Sequence, residues 1–464
     1  MNRPAPVDMA HNPYLSGVFA PQRNEVDVAN LPVSGELPPD LYGSYLRNGP
    51  NPRFDPIGTY VYPLDGDAMV HRVEISDGTV RYTNRFVRTP NVVAEEKAGR
   101  ALWAGITDPY FPPADEVGPD LANTMRELPD INVIRHGGKL FALAEGAPPY
   151  TLGSELETLA RDTFDGGLPV GLTAHPKVDP NTGEMVAFCY MFEAPYLTWS
   201  VIDAEGTVIR PPTPVAGADR PLMIHDMALT SRYIVLILSP CVFQMERIFS
   251  GASPLTWLPD LGTRIALIPR DGSPVRWHTT DTFWVWHTAN AFDMPNGDVT
   301  LDYVEWRYPG GIIESNEPNP GSLTRAVISD SGVTRTPFVE RTIEFPRVDD
   351  RLLTGEHRTV ATVGKTGERH IPPGDADALC WFDVVAGTDT TWDAGNYSVG
   401  EPAYLSSSSG GPGYWGTIAT DRTDMTSRFL IFPAEDPATG PVAQVQLPIR
   451  VPSGLHGAWL PEIS

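Results

Sequence analysis

The chain has 464 residues, 41% of them hydrophobic and 20% charged, with a formal net charge of −24. That composition belongs to a globular protein with a substantial core. The acidic balance, with no Lys/Arg cluster, excludes nucleic-acid binding and electrostatic docking on anionic membranes.

In chain order, the first stretch, "MNRPAPVDMAHNPYLSG", has no apolar signal-peptide region, which points to a cytoplasmic protein. Short β-rich runs separated by turn clusters then recur throughout. The segments "EISDGTVRY", "IRHGGKLFAL" and "IDAEGTVIR" each read as strand, Gly-containing turn, strand. Only "DEVGPDLANTMREL" and "GSELETLARDTF" have helical spacing. The run "YIVLILSPCVF" is the longest apolar one and covers about half a membrane span. The 42 glycines and 48 prolines disfavour long helices, and no βαβ rhythm is present.

Many hairpins without a linker or composition break suggest one large closed β-structure, which removes exposed sheet edges. Two β-domains satisfy the same pattern. Cys189, Cys241 and Cys380 are far apart, with no CxxC, so a disulfide framework or zinc ribbon is not expected. Cys189 and Cys241 sit in strand-like runs and read as buried, inert thiols.

Four of the ten histidines have a distinctive setting: His175 in "GLTAHPKVDP", His225 in "PLMIHDMALT", His287 in "WVWHTANAFD" and His456 in "SGLHGAWL". Each lies among apolar or small residues at a strand end, where an unpartnered imidazole is costly. One such histidine is ordinarily a core residue bonded to a carbonyl; four together make a metal site competitive. Their spacings, 50, 62 and 169 residues, exclude a local zinc finger and suit ligands brought to one axis by several blades. Neutral imidazoles without thiolate suit Zn, Cu, Fe or Ni alike. Metal-bound imidazoles commonly donate their second N–H to a carboxylate. Glu145 in "LFALAEGAPPY", Glu344 in "TIEFPRVDD" and Glu401 in "SVGEPAYL" are acids in apolar or turn settings that could serve.

These residues resemble the carotenoid cleavage oxygenases, the family that includes the lignostilbene dioxygenases. "GSYLRNGPNP", "YPLDGDAMVHRV", "AHPKVDPNTGEM", "MIHDMALT", "EFPRVD", "EPAYL" and "LPIRVPSGLHGAWL" follow in the family's order along nearly the whole chain. The resemblance implies an all-β fold: a seven-bladed β-propeller domain over residues 1–464, with loops and short helices forming a dome above the metal. It implies a non-haem Fe2+ held by His175, His225, His287 and His456. Glu145, Glu344 and Glu401 would orient His225, His287 and His456, leaving His175 without a carboxylate. The implied reaction cleaves a conjugated C=C bond with O2 to two carbonyl products, the partners being O2 and an apolar conjugated alkene.

Against the lignostilbene-type pattern, Ile106 falls at a tyrosine and Ala144 at a lysine, both of which activate a phenol in those members. Their loss favours a carotenoid or apocarotenoid over the alternative, stilbenes or phenylpropanoid alkenes of the isoeugenol kind. Asp130 and Ile131 stand where Asn-Thr is common, which bears on O2 access. Transient hydrophobic contact of a peripheral kind with a membrane is expected from "PCVFQMERIFSGASPLTWLPDL", through Val242, Phe243, Ile248, Phe249, Leu255, Trp257 and Leu258.

Overall fold

The computed structural model describes residues 3–462 apart from 64, 108, 251–252, 314 and 316. Its strands form seven antiparallel blades. Blade 1 is built on Gly43–Arg47, Met69–Ser76 and Thr79–Phe86, and blade 2 on Asn132–His136, Lys139–Leu143, Tyr150–Leu152 and Thr158–Arg161. Blade 3 runs from Lys177–Val178 to Val208–Pro214, and blade 4 from Ala228–Leu229 to Arg276–Thr280. Blade 5 runs from Trp284–Asp293 to Gly332–Glu340, and blade 6 from Ile343–Arg347 to Thr388–Asp393. Blade 7 uses Tyr397–Val399, Ala403–Leu405, Tyr414–Asp421, Ser427–Pro433 and Ala443–Gln446.

The expected hairpins are present. Met69–Ser76 and Thr79–Phe86 join through Asp77 and Gly78 at φ of 47° and 72°, the doubly left-handed turn that matches strand twist. "IRHGGKLFAL" turns in the same way at Gly137 and Gly138.

Both faces of a blade are buried against neighbours, which explains why "YIVLIL" is uniformly apolar instead of alternating. Ile234, Leu236 and Leu238 pack toward Phe188 and Trp199 of blade 3. Tyr233, Val235 and Ile237 pack toward Ala291 and Leu301 of blade 5. A comparable core fills each other interface around the ring, so the apolar interior is a series of seven wedges.

Chain ends close the ring. Gly457–Leu460 pairs with Gly43–Arg47 on blade 1, and Val33–Gly35 adds to the far edge of blade 7. Trp459 packs into the wedge between blades 7 and 1 with Tyr45 and Phe429.

The two helical expectations are corrected. "GSELETLARDTF" forms the outer hairpin of blade 2: Leu156 turns at φ 63° and Thr158–Arg161 pairs with Tyr150–Leu152. Its Leu156 and Leu159 spacing looked helical, but Leu156 is drawn into the wedge between blades 1 and 2 while Leu159 is exposed. In "DEVGPDLANTMREL" only Ala114–Val117 is helical, stopped by Gly118 and Pro119. A helix the spacing did not suggest, Pro90–Ala98, starts on a Thr89 side-chain cap and ends on left-handed Gly99.

Candidate metal centre

Inner segments of all seven blades converge on one axial cavity of about 380 Å3. His175 lies two residues before the first strand of blade 3, and His225 three residues before that of blade 4. His287 lies inside the first strand of blade 5, and His456 immediately before the closing strand. Four side chains from four blades thus meet although the chain separates them widely. One ligand atom from each lies within 4.8 Å of every other. The rings meet edge to face: His175 is 4.5 Å from His456 and 4.6 Å from His225, and His287 is 4.6 Å from His456 between centroids.

Carboxylates hold three of the rings from behind. Glu145 Oε2 lies 3.1 Å from His225 Nδ1, Glu344 Oε2 2.6 Å from His287 Nδ1, and Glu401 Oε1 2.9 Å from His456 Nδ1. Among the described residues, no carboxylate holds His175. An Nδ1–H donated to a carboxylate leaves the Nε2 lone pair facing the axis, the tautomer a metal requires. Consistent with this, His287 Nε2 is buried with no hydrogen-bond partner, and the Nε2 atoms of His175 and His225 face each other at 3.1 Å.

Electrostatics favour the neutral form at two of the four rings. Burial and the neighbouring imidazoles push His175 well below the usual histidine range. Burial likewise takes His456 down to about 4 despite Glu401, so both rings are neutral at pH 7. Burial would also lower His225, but the charge and hydrogen bond of Glu145 outweigh it and the ring is raised. Burial alone would raise Glu401; the Arg347 charge, His456 and the Gly457 N–H hold it at about 2. Four imidazole nitrogens, three of them backed by carboxylates, fit a divalent first-row cation, whose charge would offset the buried acids.

Several functional neighbours escaped the sequence reading. Asp226 ties two ligand segments together, accepting from Lys177 Nζ at 2.8 Å and from the backbone N–H and hydroxyl of Thr288, next to His287. Trp306 Nε1 donates to Glu344 Oε1 at 2.9 Å. Trp286 stands edge-on to His225 at 5.2 Å, and Phe345 stacks on His287 at 5.1 Å. Asp226, Trp286 and Phe345 are each adjacent to a named histidine or glutamate, the one available signal. Trp306 had none, because its contact is made across the blade 5–blade 6 interface.

Gly457 is required beside His456: a Cβ there would sit 2.5 Å from the Leu46 carbonyl oxygen. Ile131 is partly buried against the blade 2–blade 3 core, and its carbonyl accepts from His456 N–H at 3.2 Å. Ile106 is 47% exposed, its backbone N–H bonded to Asp65, whereas Ala144 directly precedes Glu145. In the apolar segment after Pro240, the half-buried Phe243, Leu255 and Trp257 pack around Met223, Cys241 and Trp284, and Val242 and the half-buried Leu258 contact the blade 3–blade 4 core. The side chains of Ile248 and Phe249 lie outside the described residues. No helix of the described residues is long and apolar enough to cross a membrane.

The family model for retinal pigment epithelial membrane protein matches residues 19–461. The chain belongs to the carotenoid cleavage oxygenase family. A carotenoid cleavage oxygenase of Mycobacterium tuberculosis is 32% identical, covering 97% of this chain and 98% of the relative. An isoeugenol monooxygenase of Pseudomonas nitroreducens is 28% identical with the same coverage. The crystal structure of Pseudomonas brassicacearum lignostilbene dioxygenase superposes with a TM-score of 0.86 at 28% identity over 99% of both chains. The protein is an alkene-cleaving oxygenase on the seven-bladed propeller of this family.

Proposed function

We propose that this chain, acting as one propeller domain over residues 1–464, is a non-haem Fe2+ dioxygenase that cleaves a conjugated C=C bond of a carotenoid or apocarotenoid to two carbonyl products. His175, His225, His287 and His456 would hold the iron, with Glu145, Glu344 and Glu401 as their orienting carboxylates. The observation that carries the reading is the convergence of four imidazoles, three locked through Nδ1 onto carboxylates. Bound there, the metal supplies O2 activation.

This chain's residues do the remaining work. The glutamates fix tautomer and ring orientation, so little reorganisation accompanies metal binding. Trp286 and Phe345 cover His225 and His287 with aromatic surface, which limits water beside the ligands and suits an apolar substrate. Bond choice becomes a matter of where the alkene is held, a positioning effect.

Carotenoids or apocarotenoids come first because Ala144, next to Glu145, offers no ammonium to a phenol. The similarity to lignostilbene dioxygenase and isoeugenol monooxygenase favours a second reading, the same cleavage on a stilbene or phenylpropanoid alkene. Iron-loaded protein assayed against an apocarotenal, a hydroxystilbene and isoeugenol separates the two. Turnover of the apocarotenal alone supports the first reading, and turnover of only the phenolic alkenes overturns it.

A further inference from the structure

The first strand of blade 6, Ile343–Arg347, carries a bulge. Glu344 pairs with Val363 and Arg347 with Ala361, so three steps on one strand face two on its neighbour. In a regular strand, residues three apart point to opposite faces. The extra residue puts Glu344 and Arg347 on the same side, toward the axis. Phe345 absorbs the distortion at φ 53°, a left-handed value rare for a bulky side chain.

Both ends of the bulge reach the histidine cluster. Glu344 takes His287, while Arg347 Nη1 donates to Glu401 Oε2 at 3.0 Å and to the Gly457 carbonyl at 2.8 Å. Glu401 then has one oxygen on Arg347 and the Gly457 N–H and the other on His456. Asp350 holds the far side of the guanidinium at 3.2 Å. In Phe345, the ring between the two ends lies 5.1 Å from both His287 and His456. One short segment therefore braces two histidines that come from different blades.

We propose that Arg347 is a positioning residue of the metal centre, setting His456 through Glu401. The inference rests on the four-histidine metal reading and deepens it: the carboxylate behind His456 is itself fixed by a cation from a third blade. A planar guanidinium suits this task because it can bond the carboxylate and a backbone carbonyl at once.

The test titrates metal-free full-length protein with Co(II) and follows affinity and the visible absorption band. Arg347→Met is expected to weaken Co(II) about tenfold, the scale for supports behind a ligand, and to alter the band. Arg347→Lys keeps the charge and should recover part of both. Because the effect passes through Glu401, Arg347→Met should add less than about twofold on top of Glu401→Gln, yet multiply fully with Glu145→Gln on another blade. Where Arg347→Met does not fold by circular dichroism, Arg347→Lys is read in its place, with the same dependence on Glu401. A variant that binds Co(II) within twofold of wild type with an unchanged band, or losses that multiply fully with Glu401→Gln, overturns the proposal. A lowered melting temperature with an unchanged band also overturns it. Wild-type protein that binds no Co(II) overturns the metal reading beneath it, which is a distinguishable result.

Discussion

Deleting residues 457–464 removes the strand that closes the propeller while leaving His456 in the chain. Four residue pairs with Ser44–Arg47 are lost, and Gly43–Arg47 becomes an unpaired edge. The larger loss is packing. Trp459 and Leu460 are only 7% and 9% exposed. Removing a buried tryptophan costs about 3–5 kcal/mol and a buried leucine about 2–5 kcal/mol. Together they reach ~5–10 kcal/mol, a large part of the ~5–15 kcal/mol that separates folded from unfolded chains. With an unfolding entropy of ~2 cal/mol/K per residue, a chain of this size loses about 1 °C per kcal/mol, so the melting temperature should fall by about 5–10 °C. Circular-dichroism melts and urea midpoints measure this. His456→Ala, which keeps the closing strand, is the comparison: it should retain the metal-free melting temperature and lose metal binding. A truncated chain melting within about 2 °C of full length would refute the assignment of ring closure to this strand.

Three further outcomes are expected. Glu145→Gln, Glu344→Gln and Glu401→Gln should each weaken metal binding by about 10–100-fold in competition with a chelator. The greatest loss is expected from Glu401→Gln, because it also takes from the half-buried Arg347 one of its two carboxylate partners, leaving only Asp350. Asp130 is buried with Oδ2 unpartnered, and burial pushes its carboxyl well above the usual carboxylate range. The folded state then holds a proton the unfolded state releases, so stability falls as pH rises from the normal carboxylate range toward the raised value. Asp130→Asn should raise the urea midpoint at pH 8, with the gain shrinking toward pH 4; parallel pH curves for variant and wild type would count against this. Burial takes the thiols of Cys189 and Cys241 up to about 11 and about 12 and raises Cys380 as well. A hydrophilic disulfide reagent at pH 8 should therefore label none of the three in native protein and all three in urea.

The parts of this protein legible in its sequence are those fixed by short-range physics or by residues with few ordinary uses. Asp77-Gly78 and Gly137-Gly138 dictate hairpins because the required backbone angles are open to few other residues. Histidines 175, 225, 287 and 456 and the acids at 145, 344 and 401 stand out because burying such groups without partners is costly. The family resemblance also paired each acid with a histidine, and the three carboxylates lie 3.1, 2.6 and 2.9 Å from the Nδ1 atoms of His225, His287 and His456.

Tertiary structure decided the rest. Leu156 lies in a hairpin because an inter-blade wedge takes its side chain, a long-range contact that spacing cannot report. Phe243 and Trp257 pack against Met223 and Trp284 for the same reason. Arg347 joined the site only through a one-residue bulge, and Trp306 only across a blade interface. Sequence alone therefore determined which side chains need partners, since desolvation is a property of the residue. Only the closed ring decided which partners they meet, because that depends on register and on blades brought together from distant parts of the chain.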